Sequence, residues 1–314
     1  MNQEFLSYIK QNLEKGRAKE QIWGDLKQAG WQEKSLKRAF QELGLMEMDV
    51  LPGIGDLLER VFRAYKDMFW TLVGIMLPPF LLGWIGWGIW WFLSLVGVIA
   101  KTSFEDTNGL ILLLFLILFG LIFFVIFSIV SLWSQVALLC AIKEREHNMG
   151  VKEAFRMGWH KIISYYWVSI LSTFMVLGGL LLFFVPGIIL AIWFNLALYI
   201  LIAEDKKGIN ALFRSKQLVD GKWWTVFWRQ LLIALMVVGA GVIISFIPWG
   251  KNVAGLFTAP FIHVFGFLLY QDLKRFKKDP LFESPKTATR LKFILMTVMG
   301  YLLPAVAITV WLVF

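Results

Sequence analysis

A run of 33 residues, 110–142, contains no charged side chain, and this feature restricts the fold of the chain more than any other. A bilayer hydrocarbon core is crossed by roughly 20 apolar residues in helix, and soluble core helices seldom need an uninterrupted run of that length. Similar runs recur along the sequence. The composition agrees, because 58% of the 314 residues are hydrophobic and only 17% are charged. A soluble domain has no interior large enough to bury so much apolar surface, so lipid is the solvent the sequence asks for.

The runs predict seven spans, at residues 80–100, 110–142, 162–185, 188–203, 228–247, 253–270 and 293–314. Pro78-Pro79 is expected to break or kink the approach to the first, since neither proline donates a backbone hydrogen bond. Residues 69–77 would then lie at the interface. The second run is about 50 Å long as ideal helix and must tilt, bend or project, with Gly120 the expected bend. Between spans three and four, Phe184-Val185-Pro186-Gly187 leaves room only for a tight turn.

Lysine and arginine collect in the loops on the cytoplasmic side of a membrane protein, which tests this layout. With the N-terminus inside, the inner segments hold 11 basic residues before span one, 5 in 143–161, 6 in 204–229 and 7 in 271–292. Only Lys101 and Lys251 fall in outer loops. The expectation is therefore a multi-pass protein of a bacterial inner membrane, with a cytoplasmic N-terminus and an extracytoplasmic C-terminus. The formal charge of +9 is explained by topology, and no nucleic-acid partner is expected. The first 68 residues are polar and show no cleavable signal.

Ahead of the spans, residues 1–48 read as a cytoplasmic three-helix bundle. Phe5, Leu6, Ile9 and Leu13 share one face, followed by Ile22 and Leu26, then Leu36, Phe40 and Leu43. Gly16 and Gly30 fall where helices should stop, and Trp31 is expected in the small core. Residues 49–68 form a linker and an amphipathic interfacial helix, with Asp56 and Glu59 at capping-box spacing. Residues 69–273 make a six-span domain, and 274–314 supply a basic loop and the seventh span. The fold class is thus all-α, a polytopic bundle behind a small soluble domain.

Three inner segments share a plan: Val61-Phe62-Arg63 with Phe69-Trp70, Ala154-Phe155-Arg156 with Trp159, and Leu212-Phe213-Arg214 with Trp223-Trp224. Each leads into a hairpin, which suggests three units of interfacial helix plus two spans. Inner loops of any membrane protein also gather Arg and Trp at headgroup level, and that reading explains the same residues without a repeat.

The single cysteine, Cys140, excludes an intrachain disulfide, no Cys/His cluster has zinc spacing, and no cofactor motif is present. His147, His160 and His263 stand apart from any carboxylate-rich motif. No acidic or basic residue lies in the middle of an expected span, where ion-coupled carriers place such groups. Ser128, Ser131 and Gln135 form a stripe on span two, Asn195 lies in span four, and His263 follows Pro260 in span six. These polar residues read either as interhelical hydrogen-bonding groups or as a substrate path through Gln135, Asn195 and His263. Around the third inner loop, Glu204, Arg214 and Arg229 suit pairing with one another or with lipid phosphates. Arg156, Arg214, Lys222 and Arg229, with Trp223 and Trp224 fixing depth, are the candidate lipid interface. Gly83 and Gly86, and Gly239-Ala240-Gly241, are expected close-packing positions.

Residues 152–273 resemble the membrane domain associated with bacterial glycerophosphoryl diester phosphodiesterases. The resemblance rests on Phe184-Val185-Pro186-Gly187-Ile188-Ile189, Glu204, Ala211-Leu212, Arg214-Ser215, Leu218-Val219, Gly221-Lys222-Trp223-Trp224, Val226-Phe227, Leu269-Tyr270 and Leu273-Lys274. It implies a helical membrane module that accompanies lipid-related enzymes, without the hydrolase barrel, which needs on the order of 250 residues. The stretch Gly16-Arg17-Ala18-Lys19-Glu20-Gln21-Ile22 with Ala29-Gly30-Trp31 resembles a short bacterial three-helix module and is similar in outline to UBA-like bundles. That implies a fold and no binding residues. The expected function is a non-enzymatic, lipid-interacting or scaffolding module, with residues 1–45 docking a protein partner. The alternative is a transporter or lipid translocator using the polar path.

Overall fold

The computed structural model describes residues 3–43, 45, 51–99, 107–147, 149–182, 184–246, 250–278, 287, 289–295, 297–298 and 302. Every regular element among them is helical. The chain divides into two compact units, Met1–Gly53 with Gln271–Leu281, and Ile54–Tyr270 with Phe282–Phe314.

The first unit contains α1 (Gln3–Glu14), α2 (Lys19–Gln28) and α3 (Glu33–Glu42). Gly16 and Gly30 take positive φ, +77° and +85°, and end the first two helices. The chain after each is pinned by paired bonds, Gly16 N to Leu13 O with Arg17 N to Asn12 O, and Gly30 N to Lys27 O with Trp31 N to Leu26 O. This is the left-handed helix stop that glycine permits at no steric cost. Ile9, Ile22, Leu26, Leu36, Ala39 and Phe40 form the core. Trp31 does not join them, contrary to its expected place, because it follows the Gly30 stop and points outward at 43% exposure. Phe40 closes the bundle instead, with Trp23 edge-on at 5.0 Å.

The second unit begins with α4 (Ile54–Asp67), which starts two residues before Asp56 and so puts that carboxylate in its first turn, where it favours the helix dipole. Then come α5 (Phe69–Ile99) and α6 (Thr107–Lys143), followed by α7 (Val151–Trp159), α8 (Ile162–Leu182), α9 (Phe184–Phe194) and α10 (Ala197–Glu204). The last are α11 (Ile209–Val219), α12 (Trp223–Ser245) and α13 (Gly250–Phe276). Among the described residues, six segments are long and apolar enough to cross a membrane: Phe69–Ser94, Leu114–Lys143, Ile162–Leu181, Phe184–Glu204, Trp223–Ile244 and Val253–Phe276. Of the expected seventh span, residues 293–295, 297, 298 and 302 are described and helical. Its remainder lies outside the described residues, as do Lys101 and the loop at 279–286.

Several boundaries differ from the sequence reading. Helix α5 passes through Pro78 and Pro79 without a break. Span one therefore begins at Phe69, and Leu72, Ile75 and Met76 are buried in protein. An apolar surrounding offers freed backbone groups no other partner, so a long helix persists through its prolines. Gly120 does not interrupt α6 either. That helix is 37 residues and about 55 Å long. Side chains such as Leu114, Phe115, Leu118, Leu121, Phe124 and Val125 are exposed, whereas Val136–Ile142 are each fully buried. The half nearer Thr107 presents an apolar surface of the kind hydrocarbon covers, and the half nearer Lys143 is a protein core.

Helix α8 ends at Leu182 and α9 begins at Phe184, ahead of the expected turn at Pro186-Gly187. Pro186 sits in the first turn of α9, where its missing N–H would lack a helical partner anyway. Gly187 lies so close under Leu180 that any side chain there would collide. Gly83 and Gly86 face Phe127 and Phe123 of α6, with an added Cβ on Gly86 falling 2.7 Å from the Phe123 ring. Gly239 and Gly241 meet nothing within 4 Å and are not close-packing positions. Span four is split at Asn195-Leu196 into α9 and α10. Span five starts at Trp223, five residues earlier than expected, which places Arg229 inside the helix and buries it.

Candidate functional site

Four charged or polar side chains meet where α10, α11 and α13 pack. Glu204 accepts from Arg214 Nε at 3.0 Å and Nη2 at 3.4 Å, and from the Tyr270 hydroxyl at 2.8 Å. Arg214 Nη1 also donates to Gln217 at 3.2 Å. Arg214 is 2% exposed and Glu204 10%, so this pair is desolvated. Helix α11 buries Ala211, Leu212, Arg214, Ser215, Leu218 and Val219. It is a packed element and not one lying flat among headgroups.

Ser215, next to Arg214, repairs the break in span four. Its Oγ accepts from Leu196 N at 3.2 Å and donates to the Trp193 carbonyl at 2.5 Å. Trp223 Nε1 reaches the Ile189 carbonyl, inside α9, at 3.5 Å. Non-helical backbone at membrane depth survives only where protein supplies its partners, and Ser215 of α11 supplies two here.

The expected lipid-facing residues separate into three groups. Arg214 and Arg229 are buried. Trp223 is half-buried, stacked on Phe227 at 5.3 Å, while Lys222 stands half-buried at the start of α12. Arg156 and Trp224 are exposed, together with Trp70, Trp159, Trp167 and Trp228. Trp133 holds Trp159 edge-on at 4.9 Å and donates its Nε1 to the Phe155 carbonyl at 2.8 Å.

The residues of the expected polar path have different direct partners. Gln135 Oε1 accepts from the Tyr165 hydroxyl at 2.8 Å, Asn195 is exposed at the break, and His263 meets Tyr199 edge-on at 6.2 Å. No hydrogen bond or ring contact joins the three among the described residues. The Nδ1 of His263 is buried without a hydrogen-bond partner, as is Ser134 Oγ. The Tyr199 phenol lies directly over Gly266, where any Cβ would overlap it. No group of three or more His, Cys, Asp or Glu able to hold a metal occurs among the described residues.

The three nevertheless share a register that sequence reading missed. Each stands two residues after an aromatic, Trp133, Trp193 or Phe261, and nine before an acid, Glu144, Glu204 or Asp272. Each precedes a run, 136–142, 196–202 or 264–270, in which every residue but Leu198 is buried. The aromatic in each case meets a short helix. Trp133 packs on Phe155 of α7 at 5.1 Å, and Trp193 receives Lys216 of α11 over its ring at 4.4 Å. Phe261 packs on Phe62 and Tyr65 of α4 at 5.1 and 5.7 Å. The signal was present as W-x-Q, W-x-N and F-x-H with the acid at constant distance, hidden because the three polar types differ. Ser215, Tyr165, Tyr199 and Tyr270 carried no such pattern.

No protein-family model, curated protein or solved structure matches the chain.

Proposed function

We propose that the protein is a non-enzymatic module of a bacterial inner membrane that binds lipid and docks a protein partner through residues 1–45. Its basic loops face the cytoplasm, and its C-terminal segment makes the seventh span and ends outside. One observation carries the reading: the polar groups best suited to chemistry, Glu204, Arg214, Tyr270, Gln135 and Ser215, are spent on helix-to-helix bonds. Much of what stays exposed is apolar surface and tryptophan, with basic side chains such as Lys152 and Arg156 beside it. The resemblance of residues 152–273 to a membrane domain that accompanies lipid enzymes belongs to the same reading. Trp31, exposed on a bundle with its own core, marks a face for the partner.

A photo-crosslinker in place of Trp31, carried by the full-length protein in its native membrane, tests the docking role. A discrete adduct is expected. Purified protein that is monodisperse, uncrosslinked and free of retained lipid would overturn the proposal.

A second reading, a transporter or lipid translocator, draws on the shared register of Gln135, Asn195 and His263 and on the unpartnered His263 Nδ1. Proteoliposome flux that survives substitution of all three by leucine removes it.

A further inference from the structure

The arginines of the three short helices stand at equivalent places, each two residues after a side chain with no exposure, Val61, Ala154 or Leu212. Two are engaged within the fold. Arg63 pairs with Glu59 at 2.9 Å one turn away, and Arg214 pairs with Glu204. Arg156 is exposed and makes no ion pair or side-chain hydrogen bond among the described residues. The sequence plan thus supplies three guanidiniums of one kind, and the tertiary structure turns one of them outward.

The surroundings of Arg156 are a basic and aromatic face on a rigid element. Lys152 precedes it by one turn, and Trp159 and His160 follow within the next, all exposed. Helix α7 is seated firmly: Ala154 and Gly158 are buried, and a Cβ on Gly158 would lie 3.1 Å from the Ala137 backbone N. Trp159 is braced against Trp133. Glu153 is the acidic side chain on this helix, exposed in its first turn, and it forms no ion pair with Arg156 among the described residues. Lys161, just beyond, is committed to Asp205 at 3.2 Å.

We propose that this face of α7 is a headgroup site for an anionic phospholipid, with Arg156 and Lys152 on the phosphate and Trp159 at the depth of the glycerol. The site rests on the lipid-binding reading above and narrows it to one helix. A guanidinium presents paired donors that match two phosphate oxygens, and an ammonium one turn away adds a point charge. Indole rings settle at the boundary between hydrocarbon and headgroups. A pinned helix holds the three side chains' backbone in place before lipid arrives, which lowers the ordering cost of binding.

The test uses full-length protein in nanodiscs of mixed phosphatidylglycerol and phosphatidylcholine, with retained lipid measured by native mass spectrometry. The unsubstituted protein should retain phosphatidylglycerol preferentially. Arg156→Gln should lower that preference about five-fold, the size expected for one basic residue at an anionic surface. Lys152→Gln should lower it in the same direction, and Arg63→Gln should leave it unchanged. A preference untouched by Arg156→Gln overturns the site while lipid binding stands. Equal retention of the two lipids by the unsubstituted protein also overturns the site, and retention of neither overturns the lipid reading itself. Displacement by soluble glycerol phosphate would mean a site for free phosphate and would also overturn the assignment.

Discussion

Buried polar side chains in this protein act by completing one another, so their removal is felt through the partner left behind. Breaking a buried ion pair strands a charge and typically costs about 3–5 kcal/mol, while removing both members costs much less. Arg214→Met and Glu204→Gln should each lower the melting temperature in detergent sharply. The double variant should recover much of the loss, and a strictly additive result would count against the pairing. Gly266 makes a different case, because the Tyr199 phenol occupies the space a side chain would need. Gly266→Ala should destabilise by about 1–3 kcal/mol, the usual range for overfilling a packed core. Adding Tyr199→Phe, which deletes the nearest atom, should return part of it. Pairing of Glu204 with Arg214, ten residues apart, was one of the pairings the sequence left open, whereas nothing in it pointed to Tyr270, 66 residues from its acceptor.

At the scale of elements, hydrophobic length sufficed to find the spans, since lipid forces each crossing segment to satisfy its own backbone. Their ends and interruptions were less legible. Two adjacent prolines suggested a break where none occurs, and the ordinary sequence Phe194-Asn195-Leu196 conceals a real one. The reason is that a break depends on outside donors and acceptors, here the hydroxyl of Ser215. Ser215→Ala should orphan the Leu196 N–H and the Trp193 carbonyl at a cost of about 1–3 kcal/mol. Hydrogen exchange at Leu196 should accelerate well beyond that of α8. Unchanged protection there would show that the break is held by something else.

Across the membrane unit, each short helix packs on the last long segment of the unit before it: α7 on α6, α11 on α9 and α10. Helix α4 has no predecessor and packs on α13, where Tyr65 donates to the Phe257 carbonyl at 3.1 Å and Phe62 and Tyr65 meet Phe261. The chain therefore returns on itself between its first and last units, and that seam lacks the short connections present between the others. Phe62→Ala with Tyr65→Phe should lower stability and raise protease access to residues 54–67 before any other helix. Cleavage that instead begins in α7 or α11 would contradict a weak point at the seam. Burial raises the Tyr65 phenol above its ordinary range. A raised pKa stabilises the fold below the unfolded value and loses that contribution as pH rises, so the seam should loosen only in alkali.

The sequence by itself determined the helical class, the long apolar segments and the glycine stops at Gly16 and Gly30, because each follows from local chemistry and the demands of the solvent. Only the tertiary structure decided which of three similar arginines points outward, which serine repairs a broken span, and where a half-lipid, half-protein helix such as α6 changes surroundings. Those outcomes depend on which distant side chains arrive at the same place. Spacing along a chain encodes what a residue can offer, while packing decides whether a neighbour has already taken it.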